Sequence, residues 1–203
     1  MSYGLPSSTE IEKVIPKKAI IEKFSLVGKE RSGFDAAIHR ITIANEISPR
    51  TVNIPSGEIR SIFVLRAELR SEDCDSRVLS MLFKLIEQRM IIVLQCGIRC
   101  RPTVFNDVLI EGSWMLQSDL SFKLDGLDLD DVWTNMVVQI GGLHIEEGNS
   151  LSDQIRIDAE RRALEARIAS LEKAMAAERQ PRRKKELFDE IRALRDSIVG
   201  LGR

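Results

Sequence analysis

Apolar residues recur at Ile157, Leu164, Ile168, Leu171 and Met175, a seven-residue frame with spacings of four and three. That pattern predicts one apolar stripe on a long helix. Ser150 and Asp153 form a capping-box-like start after a Gly148-Asn149 turn. Arg161 interrupts the seam between its first two members. Pro181 breaks the run at a position suited to the first residue of a second helix. The frame then resumes at Leu187, Ile191, Leu194, Ile198 and Leu201. Two helices with matching stripes and a short break predict an antiparallel hairpin, its first arm extending roughly 44 Å. A single kinked helix that dimerises is the alternative.

The rest of the chain mixes periods. Thr9 and Glu12 suggest a capped short helix ending before Pro16, and a second short helix over 17–24 buries Ile20 and Phe24. Phe34, Ala37, Ile38 and Ile41 are spaced for one helical face. Strands are expected from Ile41-Thr42-Ile43-Ala44, at Thr51-Val52-Asn53-Ile54, and from Ile59 to Leu69 with Ile62 and Val64 on one face. Val78, Leu79, Leu82, Phe83 and Ile86 mark an amphipathic helix. Met90 to Cys96 is continuously apolar over its first five residues, the signature of a strand buried on both faces. A hairpin is expected from Val108 to Met115 and Ser121 to Leu124. Asp130 caps a last helix over 131–140, closed by Gly141-Gly142. The elements predict an α+β fold: a mixed α/β body over residues 1–149 and a helical hairpin or coiled coil over 150–203.

Composition sharpens this division. The tail is built almost wholly from Ala, Glu, Arg, Leu and Lys and is net basic, whereas the body is net acidic. Over all 203 residues the formal charge is −1, which excludes a globally basic nucleic-acid coat. With 43% hydrophobic and 30% charged residues, the chain reads as a folded globular protein. No apolar run approaches a membrane span, and no secretory signal is evident. The three cysteines, Cys74, Cys96 and Cys100, have no framework spacing. A cytoplasmic location without membrane attachment is the expectation.

Little in the chain announces catalysis. There is no Gly-rich phosphate loop, nucleophile elbow or metalloprotease helix. Cys96 and Cys100 lack the second half of a zinc site, and His39 and His144 form no ligand pair. His39, beside Arg40 at an expected helix end, reads as a capping or solvated residue. The acidic stretch from Asp125 to Asp131 reads as a helix entry rather than a calcium loop. No catalytic, cofactor-binding or metal residues, and no cofactor, are therefore assigned. One enzymatic alternative is a divalent-metal nuclease, because α, three β, α, β over 29–97 is the order of a metal-dependent nuclease core. Its third strand carries Glu68-Leu69-Arg70, with Arg where a water-positioning Lys belongs, and Asn53 stands where an acid is wanted. The set is degenerate. Arg179, Arg182, Arg183, Lys184 and Lys185 cluster at the break between the tail helices, a candidate contact for nucleic-acid phosphates. The hairpin seam, Leu164, Ile168, Leu171, Met175, Leu187, Ile191, Leu194 and Ile198, is the candidate partner element.

Several short strings carry a resemblance. They are Leu5-Pro6 with Thr9, Ile15-Pro16-Lys17-Lys18, Glu22-Lys23, and Asn45 through Ile47-Ser48-Pro49 with Thr51 and Asn53-Ile54. The strand after Gly57, Trp114, Gly126-Leu127-Asp128, Val132 to Ile140 and the coiled tail complete it. Together they resemble a bacterial family known only as a domain of unknown function. The resemblance implies a gene neighbourhood of helicases and DNA methyltransferases in restriction-like defence loci. It brings no catalytic residues. The expected function is thus a non-catalytic accessory subunit of an anti-phage, DNA-targeting complex. Its partner would be a helicase or methyltransferase subunit docked through the tail, or a second copy, with nucleic acid as a further ligand. A homodimeric regulatory protein is the third reading.

Overall fold

The computed structural model describes residues 3–145 and 150–200. They fall into two compact units, Met1–Leu143 and His144–Arg203. The Gly148-Asn149 turn, the expected boundary at residue 149 and Leu201 lie outside the described residues.

The first unit is organised by a seven-stranded mixed sheet. Its strands are β1 (Glu10–Ile15), β2 (Ile38–Ile47), β3 (Ile62–Leu69), β4 (Arg89–Cys96), β5 (Arg99–Asn106), β6 (Val108–Glu111) and β7 (Met115–Leu116). The first six lie side by side in chain order, and β7 also pairs with β5. β3 and β4 run parallel, whereas every other pair is antiparallel. A parallel pair needs a crossover, here helix α4 (Ser76–Leu82), capped by the Asp75 carboxylate, which accepts from the Arg77 N–H at 2.8 Å.

Burial explains the central strands. Every residue from Met90 to Leu94 is buried, as a strand covered on both faces requires. On one face, Ile41, Leu65, Ala67, Ile92 and Leu94 pack with Ile20 of α1 (Lys17–Lys23), Phe34 of α2 (Gly28–Ala37), and Leu79 and Leu82 of α4. The opposite face changes character along the strands. One register row is apolar beyond Asn45: Val64, Ile91, Val104 and Ile110. Helix α5 (Leu129–Gly141) packs against β5 and β6, burying Val132, Trp133, Met136 and Val137. Two rows away, the same face carries Arg40, Glu68 and Gln95.

Several expectations are corrected. Thr9 and Glu12 do not open a helix: Ser7–Thr9 is a 3-10 turn leading into β1. The Thr9 hydroxyl instead donates to Pro6 O and accepts from the Asn45 amide. Thr51 and Val52 are not in a strand but in α3 (Pro49–Val52), where Pro49 is pre-set for a first helical turn and Ser48 and Thr51 form a capping box. Ile38 and Ile41 belong to β2, so the helical face ends at Ala37. The expected hairpin partner Ser121–Leu124 is not a strand; β6 pairs with β5, a strand the pattern missed because Arg99 and Arg101 and Pro102 break its apolar run. α5 is capped by Asp128 rather than Asp130, and Gly142 closes it at φ 57°, in the left-handed region that glycine tolerates.

The second unit contains α6 (Leu151–Ala177) and α7 (Pro181–Gly200), which pack against each other as an antiparallel hairpin. The Ser150 hydroxyl accepts from Asp153 N–H and starts α6. Ile168, Leu187 and Ile191 are buried, while Leu164, Leu171, Met175, Leu194 and Ile198 are half-buried. Ion pairs join the helices at Arg167–Glu190 (2.9 Å) and Arg195–Glu172 (2.7 Å). Being largely exposed, each contributes at most about 1 kcal/mol; burial of the apolar stripe stabilises the hairpin more.

Two outcomes follow. Ile92→Ala should destabilise the body by about 2–5 kcal/mol, since it opens a cavity at a fully buried parallel-strand position; urea unfolding measures it. Ile191→Asp should cost the hairpin on the order of 3 kcal/mol by burying an unpaired carboxylate, seen as lost helical ellipticity.

Candidate functional site

At the carboxyl ends of β3 and β4 an open depression of about 460 Å³ is lined by His39, Glu68, Leu69, Arg70, Gln95 and Gly97. The position is a physical consequence of the pairing. Parallel strands end together, so Glu68 and Gln95 stand opposite one another in register. β2 contributes through a bulge. Ile38 pairs with Leu69 and Arg40 with Glu68, leaving His39 as the inserted residue. A bulge of this kind re-aims a side chain that strict alternation would place elsewhere. His39 is therefore not the helix-end residue the sequence predicts, but a strand residue turned into the depression. The Arg70 N–H donates to Ala37 O at 3.0 Å and ties the end of β3 to the last residue of α2, just before β2. Gln95 is held by donating to Gly97 O (3.3 Å) and to the Gln117 side chain (3.1 Å).

A second polar group supports Glu68 from beside it. Arg66 forms a two-pronged pair with Glu12 (3.1 and 2.8 Å), and its Nε lies 3.7 Å from the Glu68 carboxylate. Glu12 reaches Arg66 from a bulge in β1, at φ 50°, a left-handed conformation disfavoured for a residue with a Cβ. The Arg66 hydrogen bonds hold the Glu12 carboxyl below its ordinary value of 4.5. Tyr3 lies buried nearby, and burial pushes its phenol up to about 12, against the opposing pull of the Arg66 charge. Arg66 thus offsets two carboxylates while being itself mostly covered.

The other sequence candidates are placed differently. Asn53 caps the end of α3 in the left-handed conformation and belongs to no strand, so the residue expected to replace a nuclease acid does not stand beside Glu68 on a neighbouring strand. Among the described residues, no group of three His, Cys, Asp or Glu side chains is arranged to hold a metal ion. Three carboxylates of the Asp125–Asp131 stretch serve the backbone. Asp128 accepts from the N–H groups of Asp130 and Asp131, Asp131 from Leu127, and Asp130 from Glu58 and Ile59. Cys74, Cys96 and Cys100 are free thiols; burial raises the Cys74 thiol to about 11, which keeps it protonated at neutral pH. No described helix is long and apolar enough to cross a membrane.

At the hairpin break, Arg179, Arg182, Arg183, Lys184 and Lys185 are all exposed. Four of the five occupy the first turns of α7, the positive end of its dipole, where cations are unfavourable. The local remedy is acidic. Glu186 pairs with Arg183 (2.9 Å) and Arg182 (3.6 Å), and Glu178 accepts from the N–H groups of Arg179 and Gln180, which lowers its carboxyl. The charges thus stand here against local helix energetics rather than because of it.

The Glu12–Arg66 pair gives a pH signature. A carboxyl depressed in the folded state adds stability that is complete above its unfolded value and lost as pH falls through the lower folded one. Wild type should exceed Glu12→Gln by a constant margin of under about 1 kcal/mol from neutral pH to about 5, because the carboxylate is 41% exposed. The margin should close below about pH 4, as urea midpoints at several pH values will report.

Residues 3–198 match a family described as Domain of unknown function (DUF4391). No curated protein and no solved structure matches the chain. With nearly the whole body and both tail helices inside the matched range, the chain belongs to the DUF4391 family.

Proposed function

We propose that the protein is a non-catalytic accessory subunit of a restriction-like, DNA-targeting defence complex. Its helical hairpin docks a larger protein partner, of the helicase or methyltransferase class that the family resemblance implies. The observation that carries this reading is the hairpin itself. Its seam satisfies the two apolar stripes against each other, so the unit holds its shape through its own contacts. Its outer faces are mostly polar and charged, with Phe188 and Val199 of α7 exposed among them. The small residues Ala163, Ala166, Ala169 and Ala174 lie exposed on α6, leaving its surface low enough for another helix to approach. The basic tip supplies phosphate contacts within the assembly. Its cations, placed at a helix terminus that disfavours them, are better accounted for by a ligand than by hairpin stability.

The experiment is co-purification with the products of neighbouring genes. The full chain should retain its partner, while a chain ending at Leu143 should remain folded by circular dichroism and lose it. A truncated chain that still binds fully would overturn the docking role. The tip is tested separately by changing Arg182, Arg183, Lys184 and Lys185 together to Glu. Helicity should be unchanged or slightly higher, since acidic groups suit the start of α7. DNA retention by the assembled complex should fall, with a shallower dependence on salt than wild type. Identical retention across the salt series would remove the tip from the DNA contact.

A further inference from the structure

We propose that the depression at the ends of β3 and β4 binds a nucleoside monophosphate unit, its phosphate on Arg70 and His39 and a sugar or base donor on Glu68. The inference does not rest on the docking role of the tail.

The argument begins with charge. Glu12 and Glu68 are offset by Arg66, through the two-pronged pair on one side and the 3.7 Å approach on the other. Arg70 and His39, by contrast, have no side-chain hydrogen bond or close ion pair among the described residues; the Arg70 charge is felt by Asp35, whose carboxylate is held by Lys17 at 2.7 Å, and both Arg70 and His39 are exposed at the rim. A guanidinium whose N–H donors are not taken by a carboxylate, beside an imidazole, is a donor set for a phosphate, which Arg can meet with two parallel hydrogen bonds. A simple anion does not account for Glu68. Its carboxylate lines the same depression, is 28% exposed and would repel an anion placed against it. The ligand that satisfies both ends therefore carries an anionic group at one end and hydrogen-bond donors at the other. A nucleotide has this polarity: phosphate first, then sugar hydroxyls and base N–H groups.

Shape and backbone agree with this polarity. About 460 Å³ lies within the size range of small-molecule sites. Gly97, at φ 59° in the turn from β4 to β5, presents no Cβ to the depression, and a Cβ built there would meet open space. The space beside Gly97 is thus unfilled by the fold. Of the register shifts along β1 and β2, one places Glu12 on Arg66 within β3, one brings His39 into the depression beside Glu68 and Arg70, and the third, between Ile43 and Asn45, lies away from it. Irregularities that persist in an otherwise regular sheet concentrate at binding sites.

The phosphate can come from a free nucleotide or from the 5′ end of a DNA strand, and one titration series separates them. The full chain is titrated by calorimetry with AMP, adenosine, inorganic phosphate, and a short single-stranded oligonucleotide with and without a 5′-phosphate. AMP should bind saturably, with adenosine and phosphate each weaker. Arg70→Gln should weaken AMP by about tenfold or more, and His39→Gln should weaken it less. Glu68→Gln should weaken AMP while leaving phosphate unchanged or tighter, a split that a merely structural role would not produce. Both rim residues are exposed, so unchanged circular dichroism is expected and checks that the variants fold. Tighter binding of the 5′-phosphorylated oligonucleotide than of AMP, with the same dependence on Arg70, assigns the site to strand ends; binding of AMP alone assigns it to free nucleotide. The proposal is overturned by absence of saturable binding to both AMP and the phosphorylated oligonucleotide, or by binding that Arg70→Gln leaves intact. Oligonucleotide binding lost only when the basic tip is reversed, with no AMP binding, also overturns it and assigns the DNA contact to the tail.

Discussion

The parallel pairing of β3 with β4 is the constraint from which the body follows. A parallel pair cannot be closed by a tight turn, so the chain must leave the sheet and return through α4. Both strands are then internal, and the apolar run from Met90 to Leu94 requires cover on each side. α1, α2 and α4 supply one layer, and α5, reached only after β5 and β6 have been laid down, covers part of the other. The same pairing brings two carboxyl ends to one place. Where apolar cover stops, the register delivers Glu68, Gln95 and the start of β2 to a common rim. The core and the depression are thus two ends of the same strands.

The legible parts of the fold were those in which one physical effect dominates. The seam of the tail could be read because burial follows a fixed period, and Ile168, Leu187 and Ile191 are the buried positions within it. β4 could be read because a continuous apolar run has few other uses. The illegible parts were contests between local preferences. Thr51 and Val52 have strand propensity, yet Pro49 and the Ser48–Thr51 capping box win a helical turn at that point. Thr9 and Glu12 match a capping pattern, but Thr9 is taken by Pro6 and Asn45, and β1 gains a ladder with β2. β5 was hidden because its Arg99 and Arg101 pair with Glu72 and Glu111, partners far away in sequence or on the next strand.

The candidate site was only half visible for a related reason. Glu68 and Arg70 stood out because they mimic a catalytic spacing on a strand. His39 did not, because its role depends on a bulge, and a bulge is a property of register between strands rather than of either sequence. Gln95 was invisible for the same cause: its place opposite Glu68 exists only once the parallel pair forms. The basic tip was read directly, since five cations within seven positions need no tertiary information.

The two polar sites differ in what holds their charges. In the body, Arg66 is largely covered and fixed by a two-pronged pair, so the position of Glu68 is determined before any ligand arrives. Such preorganisation of the Glu68 end favours a ligand group met in one orientation, whereas the exposed Arg70 and His39 would be ordered on binding. At the tip, long exposed side chains share Glu186 and keep most of their rotamer freedom. That arrangement suits a repeating polyanion, where attraction comes from counterion release and tolerates many geometries. A site with a fixed carboxylate selects by donor order, whereas an exposed basic tip selects by charge density. On the proposed reading, the exposed tip would hold a nucleic-acid backbone loosely while the depression would take a single phosphorylated unit.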